Sequence, residues 1–231
     1  MTTFALVHGG LHGAWCWERL VPELEGRGHR AVAMDLPIDD DTAGAERYAE
    51  AVVDAVDGVD DDVVVVGHSL GGLTIPLVAE RRPVARLVFL CATLPDPGRS
   101  FVDQTEHDPG MLDPRFGGLS VGDDRTADME ALAGDAFYND CPPDEVAWAV
   151  ARFRRQAWLP MTEVSPMKAW PDVERSYILC SDDHAVPPSW SRRAAPERLG
   201  VEPIELPGSH SPFLSRPAAL ADVLDRLGAR R

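Results

Sequence analysis

The run Val63-Val64-Val65-Val66 leads without a break into Gly67-His68-Ser69-Leu70-Gly71, and a helix-like segment extends from Leu70 to Arg81. Four consecutive β-branched residues favour a strand covered on both faces, because their stiff side chains suit a pleated surface and no polar residue alternates with them. A strand that turns sharply into a helix needs glycine where backbone approaches backbone. Such a turn pushes the central hydroxyl out above the sheet, beside a helix N-terminus that favours negative charge. Ser69 is therefore the candidate nucleophile.

Other short apolar runs read as buried strands at Phe4 to Val7, Arg30 to Met34, Arg86 to Cys91, Tyr177 to Cys180 and Pro203 to Leu206. Helix-like segments fall between and after them at Trp15 to Arg27, Ala43 to Val56, Trp190 to Arg198 and Pro217 to Leu227. The alternation predicts an α/β fold with a doubly wound, mostly parallel sheet. It breaks between about Leu94 and Ser176, where Pro, Gly and Asp punctuate short helical pieces such as Pro143 to Gln156 and no strand is convincing. The expected organisation is a core of residues 1–94 and 176–231 with a small helical cap inserted at 95–175. Large apolar groups of the insertion, among them Phe101, Met111, Phe116, Phe137, Trp158 and Met161, are expected to cover one edge of the sheet. Phe137, Trp158 and Met161, together with His12 near the sheet mouth, are the candidate pocket residues.

A hydroxyl at its own pKa is a poor nucleophile and needs an imidazole within hydrogen-bond reach. Of the seven histidines, His210 stands in Gly208-Ser209-His210-Ser211-Pro212, directly after the last expected strand and at the same strand-end face as Ser69. His8 and His68 read as loop-shaping residues. The imidazole in turn needs an acid to fix its tautomer. Asp182 and Asp183 both follow the strand ending at Cys180, Asp96 follows the strand ending at Cys91, and spacing alone leaves these open. Asp35 reads as a turn residue ahead of Pro37. A developing oxyanion requires two fixed donors. The backbone N–H of Leu70, next after the serine, is one; the other candidate is Gly10 in His8-Gly9-Gly10, at the end of the first strand.

The formal net charge of −16 on 231 residues disfavours a phosphate backbone as partner. Lys168 is the only lysine. The four cysteines are far apart, without a CxxC pair, so neither a zinc site nor a disulfide framework is expected, and a reducing, cytoplasmic setting is favoured. The N-terminal apolar stretch is too short for a signal-peptide core, and no run approaches a membrane span. No metal or organic cofactor is implied, and the oligomeric state, a homodimer included, is left open.

With these residues in order, the chain resembles the α/β-hydrolase superfamily from end to end. Val7-His8-Gly9-Gly10-Leu11-His12-Gly13-Ala14-Trp15-Cys16-Trp17, Asp35-Leu36-Pro37 and Phe137-Tyr138-Asn139-Asp140-Cys141 resemble the methyl-salicylate-type esterases, hydroxynitrile lyases and their bacterial relatives. That resemblance implies Asp183, rather than Asp182, as the acid. It also implies a choice between two chemistries. The lyases carry lysine directly after the catalytic histidine and threonine in the early loop, where this chain has Ser211 and Gly9. The expected function is therefore hydrolysis of a small, largely apolar or aromatic carboxylic ester through an acyl-enzyme on Ser69. Hydroxynitrile lyase chemistry and a small-molecule receptor are the alternatives.

Overall fold

Strand β1 (Thr2–Val7) is buried along its whole length and pairs in parallel with β2 (Arg30–Ala33) on one side and β3 (Asp62–His68) on the other. The sheet continues through β4 (Arg86–Leu90), β5 (Glu174–Cys180) and β6 (Ile204–Leu206), in the order β2-β1-β3-β4-β5-β6 with every pairing parallel. The structure is a computed structural model describing residues 1–114 and 127–229; Phe116 lies outside the described residues.

Successive side chains of a strand face opposite sides, and here both sides are dry. Ala5, Val7, Val63, Val65, Leu87 and Phe89 enter one apolar core, whereas Phe4, Leu6, Val64, Val66, Val88 and Leu90 enter the other. This is why the strand sequences carry no polar alternation. The helices are α1 (Leu20–Gly26), α2 (Ala45–Ala55), α3 (Ile75–Arg81), α4 (Phe101–His107), α5 (Ala127–Tyr138), α6 (Pro143–Val150), α7 (Leu159–Thr162), α8 (Pro188–Ala194), α9 (Pro212–Ser215) and α10 (Pro217–Gly228). Helices α2, α3 and α8 cover the first core, and α1 packs on α10 over the second.

Several expected helices are shorter or broken, and proline accounts for three of them. Proline lacks the N–H an interior turn needs and is accommodated in a first turn. Pro22 therefore sits near the start of α1, and the segment before it is a separate 3-10 turn, Ala14–Trp17. Pro76 likewise starts α3 after the 3-10 turn Ser69–Leu73. Pro196 falls in a wider π turn, Ala195–Leu199, that follows α8. The helix expected over Pro143 to Gln156 ends at Val150, because the following residues are drawn into tertiary bonds. The Arg154 N–H donates to Leu11 O at 2.7 Å, and the Ala157 N–H donates to Ile38 O at 2.6 Å. Strand β4 stops one residue short of Cys91, which turns out of the sheet at φ +46°.

Strand order decides where a site forms. The chain runs from β1 outward to β2 and then returns to the opposite side of β1 as β3, so the loops leaving β1 and β3 part in opposite directions and open a crevice at their carboxyl ends. Between β4 and β5 the described residues form helices and irregular segments without a strand. Phe137, Tyr138, Val150 and Phe153 from this stretch join the core beside β1 and β3. No helix of the described residues is long and apolar enough to cross a membrane.

Candidate active site

Ser69 follows β3 directly and has φ +51°, a left-handed conformation that costs a non-glycine residue on the order of 1 kcal/mol or more. The turn is held by crowding around its glycines. A Cβ on Gly67 would lie 2.7 Å from Ile75 Cγ2 and 2.9 Å from Gly71 O, and one on Gly71 would lie 2.8 Å from His8 O. The loop after β1 presses against the same turn, since a Cβ on Gly9 would lie 2.7 Å from Ser69 Cβ. From behind, the Thr93 N–H donates to Ser69 O at 3.1 Å. Leu70 lies in the first turn after the serine, where backbone N–H groups have no intrahelical acceptor.

Asp183 and His210 occupy loops after β5 and β6 and are 4% and 0% exposed. His210 Nδ1 donates to Asp183 Oδ2 at 2.8 Å. Asp183 Oδ1 accepts the N–H groups of Ala185 and Val186 at 2.8 and 2.9 Å. His210 Nε2 is buried and makes no hydrogen bond with the described residues. Phe137 packs 5.5 Å from the His210 ring and also lines the cavity that contains Ser69. The competing acids are elsewhere. Exposed Asp182 accepts from Asn139 Nδ2 at 2.8 Å, and Asp96 faces Arg99 at 3.5 Å. Asp35 accepts the Ala14 N–H and faces Arg154.

The other buried histidines scaffold the loops. His8 Nδ1 donates to Gly9 O at 2.8 Å, leaving Nε2 to accept the Leu36 N–H at 3.0 Å. His68 Nε2 donates to His210 O at 3.0 Å, tying the serine turn to the histidine loop. His12, a candidate for the pocket or for a hydrogen-bonded loop role, is not among the residues lining the cavity at Ser69. It lies behind the wall, 1% exposed, with Nδ1 donating to Gly10 O at 2.7 Å and Nε2 accepting the Tyr138 hydroxyl at 2.6 Å. Its chemistry is to hold the Gly10 loop, and being sequence-local to that loop is what made it look like a lining residue. Burial keeps all three rings neutral, lowering the His8 pKa to about 4, that of His12 to about 3 and that of His68 well below its ordinary value.

Cys91 Sγ, Asp183 and His210 place ligand-type atoms within 4.8 Å of one another. Both Asp183 oxygens are already engaged, and burial pushes the Cys91 thiol well up, so the sulfur is a neutral neighbour of the pair.

The cavity at Ser69 measures about 150 Å³. Gly10 and Leu70 line it beside the serine, and Leu112, Phe137, Trp158 and Met161 are among its apolar lining. Trp158 is 52% exposed and, with Phe101, Leu112 and Met161, also borders an outer groove. Ser69, Leu70, Gly10, Phe137, Trp158 and Met161 thus share one cavity, and the Asp183–His210 pair stands beside it. Thr93 and Gln156 also line it and were not singled out in the sequence, where no local pattern marks either.

A family model described as the alpha/beta hydrolase family matches residues 4–223. The chain belongs to the alpha/beta hydrolase family. Among relatives within it, Methylesterase 2 of Arabidopsis thaliana is 29% identical, covering 96% of this chain and 94% of its own. A pyrethroid hydrolase of Sphingobium wenxiniae is 31% identical, covering 97% of this chain and 86% of its own. The crystal structure of a polyneuridine aldehyde esterase superposes with a TM-score of 0.81 at 25% identity, covering 99% of this chain and all of that one. These relatives are described as esterases or hydrolases and match along nearly the whole chain, as the end-to-end resemblance in the sequence implied.

Proposed function

We propose that this alpha/beta hydrolase cleaves small, largely apolar or aromatic carboxylic esters through an acyl-enzyme on Ser69. The observation that carries the reading is the buried Asp183–His210 pair, whose Nε2 remains uncommitted beside a cavity containing a strained serine. His210 Nε2 takes the Ser69 proton as Oγ attacks the ester carbonyl, and the alcohol departs with that proton. The N–H groups of Gly10 and Leu70 stabilise the tetrahedral oxyanion. His210 then activates water to release the acid, while Asp183 keeps the ring in its Nδ1–H tautomer and stabilises the imidazolium. The segment 95–175 acts as a cap, contributing Phe137, Trp158 and Met161 to the acyl pocket.

The described lining contains no Lys or Arg. This supports neutral over carboxylated or phosphorylated esters, and it removes the cation that would stabilise departing cyanide in a lyase. Lys168 is exposed and outside the cavity lining. The test compares purified wild type with Ser69→Ala on aryl acetates, methyl esters of aromatic acids and mandelonitrile. Ester cleavage lost in the variant is the expected result. Cyanide release without ester cleavage, or near-wild-type ester cleavage by the variant, overturns the proposal.

A further inference from the structure

Gln156 is one of few polar residues in the largely apolar lining of the cavity, and the orientation of its amide follows from its neighbours. One amide atom lies 2.9 Å from Ala157 O, a carbonyl that only accepts, so that atom is the nitrogen. Nε2 also donates to the Tyr48 hydroxyl at 3.2 Å. The oxygen therefore faces the other way, 3.4 Å from where a Cβ on Gly10 would stand, and it accepts no hydrogen bond from the described residues. Thr93, the other polar residue of the described lining besides Ser69, directs its hydroxyl proton to Ser69 O at 3.3 Å.

The segment carrying Gln156 is fixed on both sides. Arg154 N–H is bonded to Leu11 O, Ala157 N–H to Ile38 O, and the Arg154 guanidinium faces Asp35 and Asp39 at 3.3 and 2.9 Å. An acceptor so held adapts little to its ligand, and discrimination by a hydrogen bond depends on such preorganisation. An apolar acyl group placed against Oε1 strips it of water and returns nothing, whereas a donor restores the bond.

We propose that Gln156 Oε1 is a specificity-determining acceptor selecting acyl groups that carry a hydroxyl or N–H donor close to the ester carbonyl. The proposal rests on Ser69 as the nucleophile and on Gly10 as the place where the carbonyl oxygen is held. Methyl mandelate and methyl phenylacetate, which differ by one hydroxyl on the carbon next to the carbonyl, form a matched test. Wild type is expected to favour the hydroxylated ester by about 10-fold in kcat/KM, the size of one well-formed hydrogen bond set against an unpaired acceptor. Gln156→Met removes the acceptor at similar length and brings that ratio to within about 2-fold of unity, the loss falling chiefly on the hydroxylated ester.

The same pair is titrated into Ser69→Ala, with and without Gln156→Met, so that binding is read without turnover. A preference for the hydroxylated ester in Ser69→Ala that vanishes in the double variant supports the acceptor even where the wild type cleaves neither ester, an outcome that would count against the esterase reading alone. Equal binding of the two esters by Ser69→Ala, or an equal loss for both on Gln156→Met, overturns the proposal and leaves Gln156 a structural clamp.

Discussion

Asp183 accepts the His210 Nδ1 proton at 2.8 Å on one carboxylate oxygen while the other oxygen accepts two backbone N–H groups. The backbone bonds aim the carboxylate whether or not the imidazole is present. Asp183→Asn is expected to leave a folded protein but to reverse donor and acceptor at His210, favouring the wrong tautomer. Ester turnover should fall by about 10³- to 10⁴-fold. Asp182→Asn, on an exposed residue bonded to Asn139, should stay within about 3-fold of wild type. Steady-state rates of the two variants make the comparison, and a greater loss from Asp182→Asn would reassign the acid.

The strain at Ser69 predicts a trade between stability and activity. Ser69→Gly removes the side chain that makes φ +51° unfavourable, so it should raise stability by about 1 kcal/mol and Tm by about 2–4 °C while abolishing turnover. Calorimetry of the two proteins reads this, and a lower Tm for the glycine variant would contradict it.

Two glycines should respond oppositely to alanine. A Cβ on Gly72 would overlap Thr93 O, a backbone atom that cannot swing away, and Thr93 in turn holds the Ser69 carbonyl. Gly72→Ala should destabilise by about 2–4 kcal/mol and reduce activity as the serine turn shifts. Gly26, at the end of α1, has open space around its missing Cβ and an ordinary φ. Gly26→Ala should be neutral or stabilising by up to about 1 kcal/mol. Denaturant midpoints distinguish the pair.

The buried neutral histidines predict acid lability. Their folded pKa values, about 4 for His8 and about 3 for His12, lie below the ordinary 6.5, so between these values the unfolded chain binds more protons than the folded one. Stability is then complete above pH 6.5 and is lost as pH falls from there toward 4 and 3. Each such histidine contributes a slope of up to about 1.4 kcal/mol per pH unit. Urea titrations between pH 4 and 8 measure this, and a midpoint unchanged from pH 7 to pH 4.5 would contradict it.

Much of the fold and of the candidate constellation was legible in the sequence. Uninterrupted apolar runs report strands covered on both faces, and a serine flanked by glycines after such a run reports a turn that few other sequences tolerate. The acid was not legible from spacing: Asp182 and Asp183 are neighbours, and the resemblance alone pointed to Asp183. Only the folded chain separates them, burying one against His210 and leaving the other in solvent. Spacing likewise left His12 open between the pocket and a loop role, since its partner Tyr138 is 126 positions away. Gln156 carried no sign in its own stretch of sequence, because its placement depends on Tyr48 and the loop at Ile38, both far away in the chain, as well as on adjacent Ala157.

The sequence by itself determined what is local: strand and helix periods, proline breaks and the glycine-lined serine turn. The tertiary structure decided which polar atoms are dry, which are paired and which face the cavity. The outcomes that decided the site depend largely on groups far apart in the chain competing with water for one another, as His210 with Asp183 and His12 with Tyr138, and no short window of sequence contains both partners.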